Sequence, residues 1–219
     1  MKKYCTRLLI TILLLLSAFL CVSSASAKES TLPPAVAASA TLARGETELT
    51  VYSDTNRTEK LGKLKKGVPC QVLGISGSYY RVSFDGIEGY VQRSKMALKA
   101  TASDAAHPGS IVTDLALEQY LYPSLSKSKI MPIHGTIQAD MPLDTLFFFL
   151  WDERLQQMEH VIVKEVKTPS ANLDVQDVCK SLEFPSMTAG RKTLLVQGAS
   201  DGKLVDIYQT PLYICGSFK

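Results

Sequence analysis

The chain has 219 residues, 46% of them hydrophobic, with 24 Lys and Arg against 21 Asp and Glu. Lys2, Lys3 and Arg7 stand at the very start, and without them the chain balances at 21 of each sign. A neutral remainder excludes a whole-protein polyanion binder, and no nucleic acid is expected as a partner. The imbalance is local instead: residues 46–99 carry nine basic and six acidic side chains, and residues 111–219 carry ten and thirteen.

Met1 to Ala27 reads as a signal peptide (residues 1–27). A positive start precedes the apolar run Leu8 to Val22, and Ala25-Ser26-Ala27 supplies small residues for cleavage before Lys28. The run is short of the roughly 20 residues that a membrane span needs. Cys21 follows the bulky Phe19-Leu20, which argues against a lipid anchor. The chain is therefore expected to be secreted, with no membrane span after cleavage.

Residues 28–45 open with KESTLPPAVAASA, a Pro/Ala/Ser-rich composition that predicts a flexible lead-in. Three strand patterns follow between Leu61 and Val91. Val68, Cys70 and Val72 alternate with Pro69, Gln71 and Leu73, and Ser76-Gly77-Ser78 breaks the run. Tyr80, Val82 and Phe84 then alternate with Tyr79, Arg81 and Ser83. Asp85-Gly86 predicts a two-residue hairpin, since both central residues of a type I′ turn need positive φ. Ile87 to Val91 returns as the partner strand. Short strands joined by tight turns describe part of a small barrel, whose closure removes exposed edges.

These residues resemble the bacterial SH3-like domain of exported cell-wall proteins. Leu64-Lys65-Lys66-Gly67, Val72-Leu73-Gly74, Ser78-Tyr79-Tyr80-Arg81-Val82 and Gly86-Ile87-Glu88-Gly89-Tyr90-Val91 carry the likeness, over residues 46–99. It departs at Leu49-Thr50-Val51-Tyr52-Ser53-Asp54-Thr55, where the family tends to have Leu-Asn-Val-Arg-Ser-Gly-Pro in a loop that helps form its ligand groove. The resemblance implies binding of wall peptide. Tyr79 and Tyr90 lie on the phase opposite to Tyr80, Val82 and Val91 and are the outward candidates, with Tyr52 in the altered loop.

Ala100 to Ser110 is again Ala/Ser/Pro-rich and predicts a linker (residues 100–111) with His107 inside it. Residues 112–219 read as strands: Leu115 to Tyr122, Ile130 to Ala139, Leu143 to Trp151, Met158 to Val166, Ser181 to Phe184, Thr193 to Ala199 and Leu204 to Cys215. Asp140-Met141-Pro142, Thr168-Pro169-Ser170 and Ser200-Asp201-Gly202 are among the turn signals between them. Many short strands without a long helix predict a β-sandwich and an all-β chain. Ile133-His134-Gly135-Thr136-Ile137, Leu182-Glu183-Phe184 and Thr188-Ala189-Gly190 resemble the immunoglobulin-like sandwich found beside SH3-like domains in exported wall hydrolases. In those relatives the sandwich is an accessory to a separate catalytic domain.

Chemistry is sparse. A hydrolase needs an activated nucleophile or a metal with three protein ligands. The histidines are His107, His134 and His160, without a pair at metal-ligand spacing, and no Cys-x-x-Cys occurs. No catalytic residue, metal or cofactor is expected. Cys70 falls on the inward phase of its strand and reads as a buried thiol. Cys179 and Cys215 share the second half, and export makes a disulfide between them chemically possible.

In Phe147-Phe148-Phe149-Leu150-Trp151, successive side chains leave a strand on opposite sides. Leu146, Phe148 and Leu150 take one face; Phe147, Phe149 and Trp151 take the other and need a second cover. That cover is expected to be sugar rings, the SH3-like domain, another protein, or segments of the same domain. The sequence thus predicts a secreted non-catalytic envelope protein that binds wall peptide or glycan, or partners an envelope protein. A diverged hydrolase using His134 and His160, or a purely structural module, are the rival expectations.

Overall fold

The computed structural model describes residues 36–103, 106–122, 133–179, 183–184 and 187–216. The expected signal peptide and the first part of the lead-in fall outside them. The described residues are almost entirely β-strand and build two large sheets, the expected all-β class.

The first sheet has seven strands: β1 (Val36–Leu42), β2 (Glu48–Tyr52), β3 (Lys60–Lys65), β4 (Cys70–Ser76), β5 (Tyr79–Phe84), β6 (Ile87–Gln92) and β7 (Met96–Ala102). Their order is β3-β2-β6-β5-β4-β1-β7. Leu64 and Val51 from one end of this order share a core with Val36, Leu42 and Met96 from the other, so the sheet curls around a single interior. Val72, Val82 and Val91 fill its middle. The expected hairpin is present: Asp85 and Gly86 have φ of 48° and 76°, and Phe84 pairs with Ile87. Asp201-Gly202 repeats the device, with φ of 48° and 82° between Ser200 and Lys203.

Two boundaries differ from the sequence reading. Residues 36–42, assigned to the lead-in, form β1, which pairs with β4 on one side and along its whole length with β7 on the other. Residues 100–102, assigned to the linker, complete β7, with Ala100 opposite Ala38 and Ala102 opposite Val36. The cause is composition. Ala37, Ala38 and Ala40 are buried in a strand held between β4 and β7. Alanine-rich segments carry no strand propensity, so local sequence gives no sign of it.

The second sheet has strand order β10-β15-β14-β12-β13, with β8 (Ile111–Thr113) on β12. Its long members are β12 (Thr136–Asp152), β13 (Gln157–Asp174), β14 (Gly190–Ser200) and β15 (Lys203–Ile214). The short β10 (Tyr120–Leu121) lies parallel to β15. A two-stranded ribbon of β9 (Ala116–Leu117) and β11 (Ile133–His134), a five-residue helix α1 (Val175–Cys179), Phe184 and Met187 cover one face of this sheet. The turns expected at Asp140-Met141-Pro142 and Thr168-Pro169-Ser170 are irregularities inside two long strands. The β12–β13 register shifts between Gln138 and Leu143 and again between Leu143 and Thr145. Proline is tolerated at such bulges because its missing N–H is not called on there.

The other face of the second sheet meets the first sheet. Phe147, Phe149, Ala199 and Leu204 belong to the same buried cluster as Val36, Ala38, Val72 and Met96. Strand β13 lies against β4 and β7, while β12 and β14 lie against β4. At the rim of the junction Thr145 is wholly buried: its hydroxyl accepts the Ile75 N–H at 3.1 Å and donates to Asp144 at 2.7 Å. Gly74 stands beside it, where a Cβ would come within 3.1 Å of Thr145 Oγ1. Gln197 donates to the Val36 carbonyl at 2.8 Å, and Gly77 N–H to Glu165 at 3.0 Å. The two sheets form one compact unit.

A shared core predicts shared unfolding. Phe147→Ala should cost about 3–5 kcal/mol, and urea unfolding followed by Trp151 fluorescence and by far-ultraviolet circular dichroism should give coincident curves. Separate transitions, with the first sheet unaffected by Phe147→Ala, would contradict a common core. Gly89 is a second test, since a Cβ there would meet the Tyr52 carbonyl at 2.6 Å and Val51 Cγ1 at 2.7 Å. Gly89→Ala should destabilise by roughly 1–3 kcal/mol through overpacking, read from the urea midpoint.

Candidate functional site

The outward candidates of the first sheet lie on neighbouring strands. Tyr79 heads β5, Tyr52 ends β2, and Tyr90 on β6 stands directly across the ladder from Tyr52. The structure gathers Tyr52 and Tyr79 into one groove of about 240 Å3, which Gln92 and Lys95 also line. Tyr90 faces a different cleft of about 220 Å3, shared with Arg81, Asp144, Glu165 and Asp201 at the junction of the two sheets. Arg81 is tied there to Asp201 and Glu88, so that cleft is a cross-linked polar rim.

Between Tyr52 and Tyr79 stands Arg57, a residue that the sequence reading did not single out. Its Nε donates to the Tyr79 hydroxyl at 2.7 Å. The guanidinium carbon lies 5.9 Å from the Tyr52 ring centroid and 5.7 Å from that of Tyr79, within cation–π range of both. The loop after β2 builds this placement. Asp54 accepts from the Thr58 N–H at 3.0 Å and the Thr58 hydroxyl at 2.6 Å, while Ser53 N–H bonds the Glu59 carbonyl at 3.0 Å. Arg57 N–H closes onto the Asp54 carbonyl at 3.3 Å. The resulting tight loop puts Arg57 at φ 63°, a left-handed conformation costly for a non-glycine residue and common where a side chain must be aimed.

Electrostatics follow the same contacts. Hydrogen bonds from Thr58, first through its hydroxyl and then through its N–H, hold the Asp54 carboxyl below its ordinary value. The bond to Tyr79, helped by the charge attraction of that ring's hydroxyl, raises the Arg57 guanidinium further. Arg57 is thus a fixed cation with aromatic walls. Its remaining N–H groups suit an incoming carboxylate, which a guanidinium recognises with two parallel bonds. The sequence signal for it was the Asp54-Thr55-Asn56-Arg57-Thr58 run itself, whose Asp and Thr can close a turn on each other.

The aromatic candidates of the second sheet have another role. Phe147 and Phe149 are fully buried, with stacked ring centroids 6.3 Å apart, and the cover over them is the first sheet. They are core residues and are closed to sugar rings, which corrects their assignment as ligand contacts. Trp151 is 8% exposed, too little for a stacking platform. Two large apolar faces on one strand did require two covers, and of the covers expected for the second it is the sheet containing residues 46–99 that supplies it.

Cys70 is buried, donates to the Ala40 carbonyl at 3.3 Å, and burial raises its thiol to about 11, the inert state expected of it. Cys215 carries a free, exposed thiol, and the side chain of Cys179 is outside the described residues. His134 is exposed on β11, whereas His160 on β13 tilts against Phe184 with centroids 5.8 Å apart. Neither lines the two clefts. Among the described residues no group of three His, Cys, Asp or Glu side chains is placed to hold a metal, and no helix is long and apolar enough to cross a membrane. No family model and no curated protein matches this chain.

The burial of Trp151, the only tryptophan, is directly measurable. Its emission should be blue-shifted and poorly quenched by acrylamide in the native protein. A red-shifted, freely quenched tryptophan would contradict the packing at this end of β12.

Proposed function

We propose that the protein is a secreted, non-catalytic cell-envelope protein whose Tyr52–Arg57–Tyr79 groove binds a carboxylate-bearing wall peptide. The single observation that supports the reading is Arg57, aimed by a hydrogen-bonded loop between two tyrosine faces. A stem peptide offers the chemistry that this arrangement suits, a carboxylate for the guanidinium and short apolar side chains for the ring faces. The strand order of the first sheet and its hairpin at Asp85-Gly86 support the SH3-like assignment, and the second sheet is taken as the immunoglobulin-like accessory its sequence resembles. The leader-like first 27 residues support export.

Binding to purified peptidoglycan tests the reading. Arg57→Ala removes a charge-assisted contact and two cation–π contacts, about 1–2 kcal/mol, so retention should weaken about tenfold. Tyr79→Phe, which takes away only the hydroxyl that Arg57 holds, should have a smaller effect in the same direction. Unchanged binding by folded Arg57→Ala would remove the groove from the proposal, and release of muropeptides would replace it with a hydrolase.

A further inference from the structure

At the end of the second sheet farthest from its Asp201-Gly202 hairpin, three ionisable side chains meet, two of them buried. Lys192 on β14 stands directly across the ladder from Asp152 on β12, and both side chains are buried, 0% and 1% exposed. Lys192 Nζ donates to Asp152 Oδ2 and to Thr188 Oγ1. Glu159 on β13, 12% exposed, brings Oε2 to 2.9 Å from the same nitrogen, while its Oε1 accepts the Thr188 N–H at 2.6 Å. That Oε2 accepts no hydrogen bond in the resting geometry. Asp152 Oδ1 accepts two backbone N–H groups, from Arg154 at 2.9 Å and Leu155 at 2.8 Å.

A buried ion pair alone is a poor source of stability, since desolvation offsets its attraction. This one has further parts: a nucleophilic nitrogen against a carboxyl group, a second carboxylate on the nitrogen, and paired N–H donors on the carboxyl oxygen that would turn negative. From these we infer that Lys192 and Asp152 are the partners of an intramolecular isopeptide bond, with Glu159 as its proton carrier.

The resting state is ammonium and carboxylate. Burial by itself raises the Asp152 carboxyl, but the hydrogen bonds from Lys192 and the Leu155 backbone outweigh it and keep it below its ordinary value. Transfer of one proton along the Nζ–Oδ2 hydrogen bond gives the neutral amine and acid. The nitrogen lone pair then attacks Cγ, and the carbonyl pair moves onto Oδ1, where the Arg154 and Leu155 N–H groups hold it as they would in an oxyanion hole. Glu159 takes a proton from the now cationic nitrogen and passes it to the Oδ2 hydroxyl, which leaves as water. The Oδ1 pair re-forms the carbonyl, the amide is complete, and Glu159 is again a carboxylate. No oxidant or cofactor is needed. The register of β12 on β14 holds the two reacting groups together, so the step is unimolecular.

Denaturing mass spectrometry and tryptic mapping of the purified full chain test this. The wild-type mass should fall one water short of the sequence, trypsin should fail to cut after Lys192, and a branched peptide should join the Asp152 and Lys192 segments. Glu159→Gln, nearly isosteric, should restore the full mass and tryptic cleavage after Lys192, and should lower the melting temperature. A full wild-type mass with cleavage after Lys192, or a lost water mapped to any other residue, would overturn the bond. An intact cross-link in Glu159→Gln would overturn the role of Glu159. The wild-type branched peptide decides the bond itself even if that variant does not fold.

Discussion

Strand β12 is the element on which both halves of the molecule depend. Leu146, Phe148 and Leu150 point into the core beneath the β9–β11 ribbon, and Phe147 and Phe149 point into the core of the first sheet. All five are fully buried. At roughly 25 cal/mol for each Å2 of apolar surface, uncovering either face would be a large loss, so neither sheet's core is complete without this strand. Polar contacts at Thr145, Gln197 and Glu165 then fix where the two sheets meet.

Much of this was legible one strand at a time. Alternation marked β4, β5 and β6, Asp85-Gly86 marked the hairpin between β5 and β6, and Ser200-Asp201-Gly202 marked the turn between β14 and β15, because these features come from neighbours in sequence. What local reading could not supply was pairing at a distance. Strand β1 is held by β4 and β7, and its alanines become core residues only through that distant pairing. Proline in β12 and β13 looked like punctuation because a bulge and a turn use the same residues. The division of Phe147 and Phe149 from Phe148 was readable; which of several candidate covers lay over them was not.

The candidate site divides in the same way. Tyr79 and Tyr90 were visible from strand phase and Tyr52 from the altered loop; the structure joins Tyr52 with Tyr79, while Tyr90 turns to the other cleft. Arg57 became visible only with the loop folded, since its direction depends on Asp54 and Thr58 closing the turn under it. Lys192, Asp152 and Glu159 are spread over three strands, and each alone reads as an ordinary charged residue at a strand end. Only the ladder that sets Asp152 against Lys192 makes them a chemical unit.

The position of β1 also bears on the order in which the molecule can assemble. Val36 pairs with Ala102 and receives a hydrogen bond from Gln197, 161 residues further along. A chain that emerges amino end first can pair β1 with β4 early, but must leave its other edge unpaired until β7 has appeared. It must wait for β14 before the junction closes. Contacts of such sequence separation slow folding because loop closure precedes any gain from them. Strand β1 is made before every other described strand, but its place in the structure is among the last to be completed.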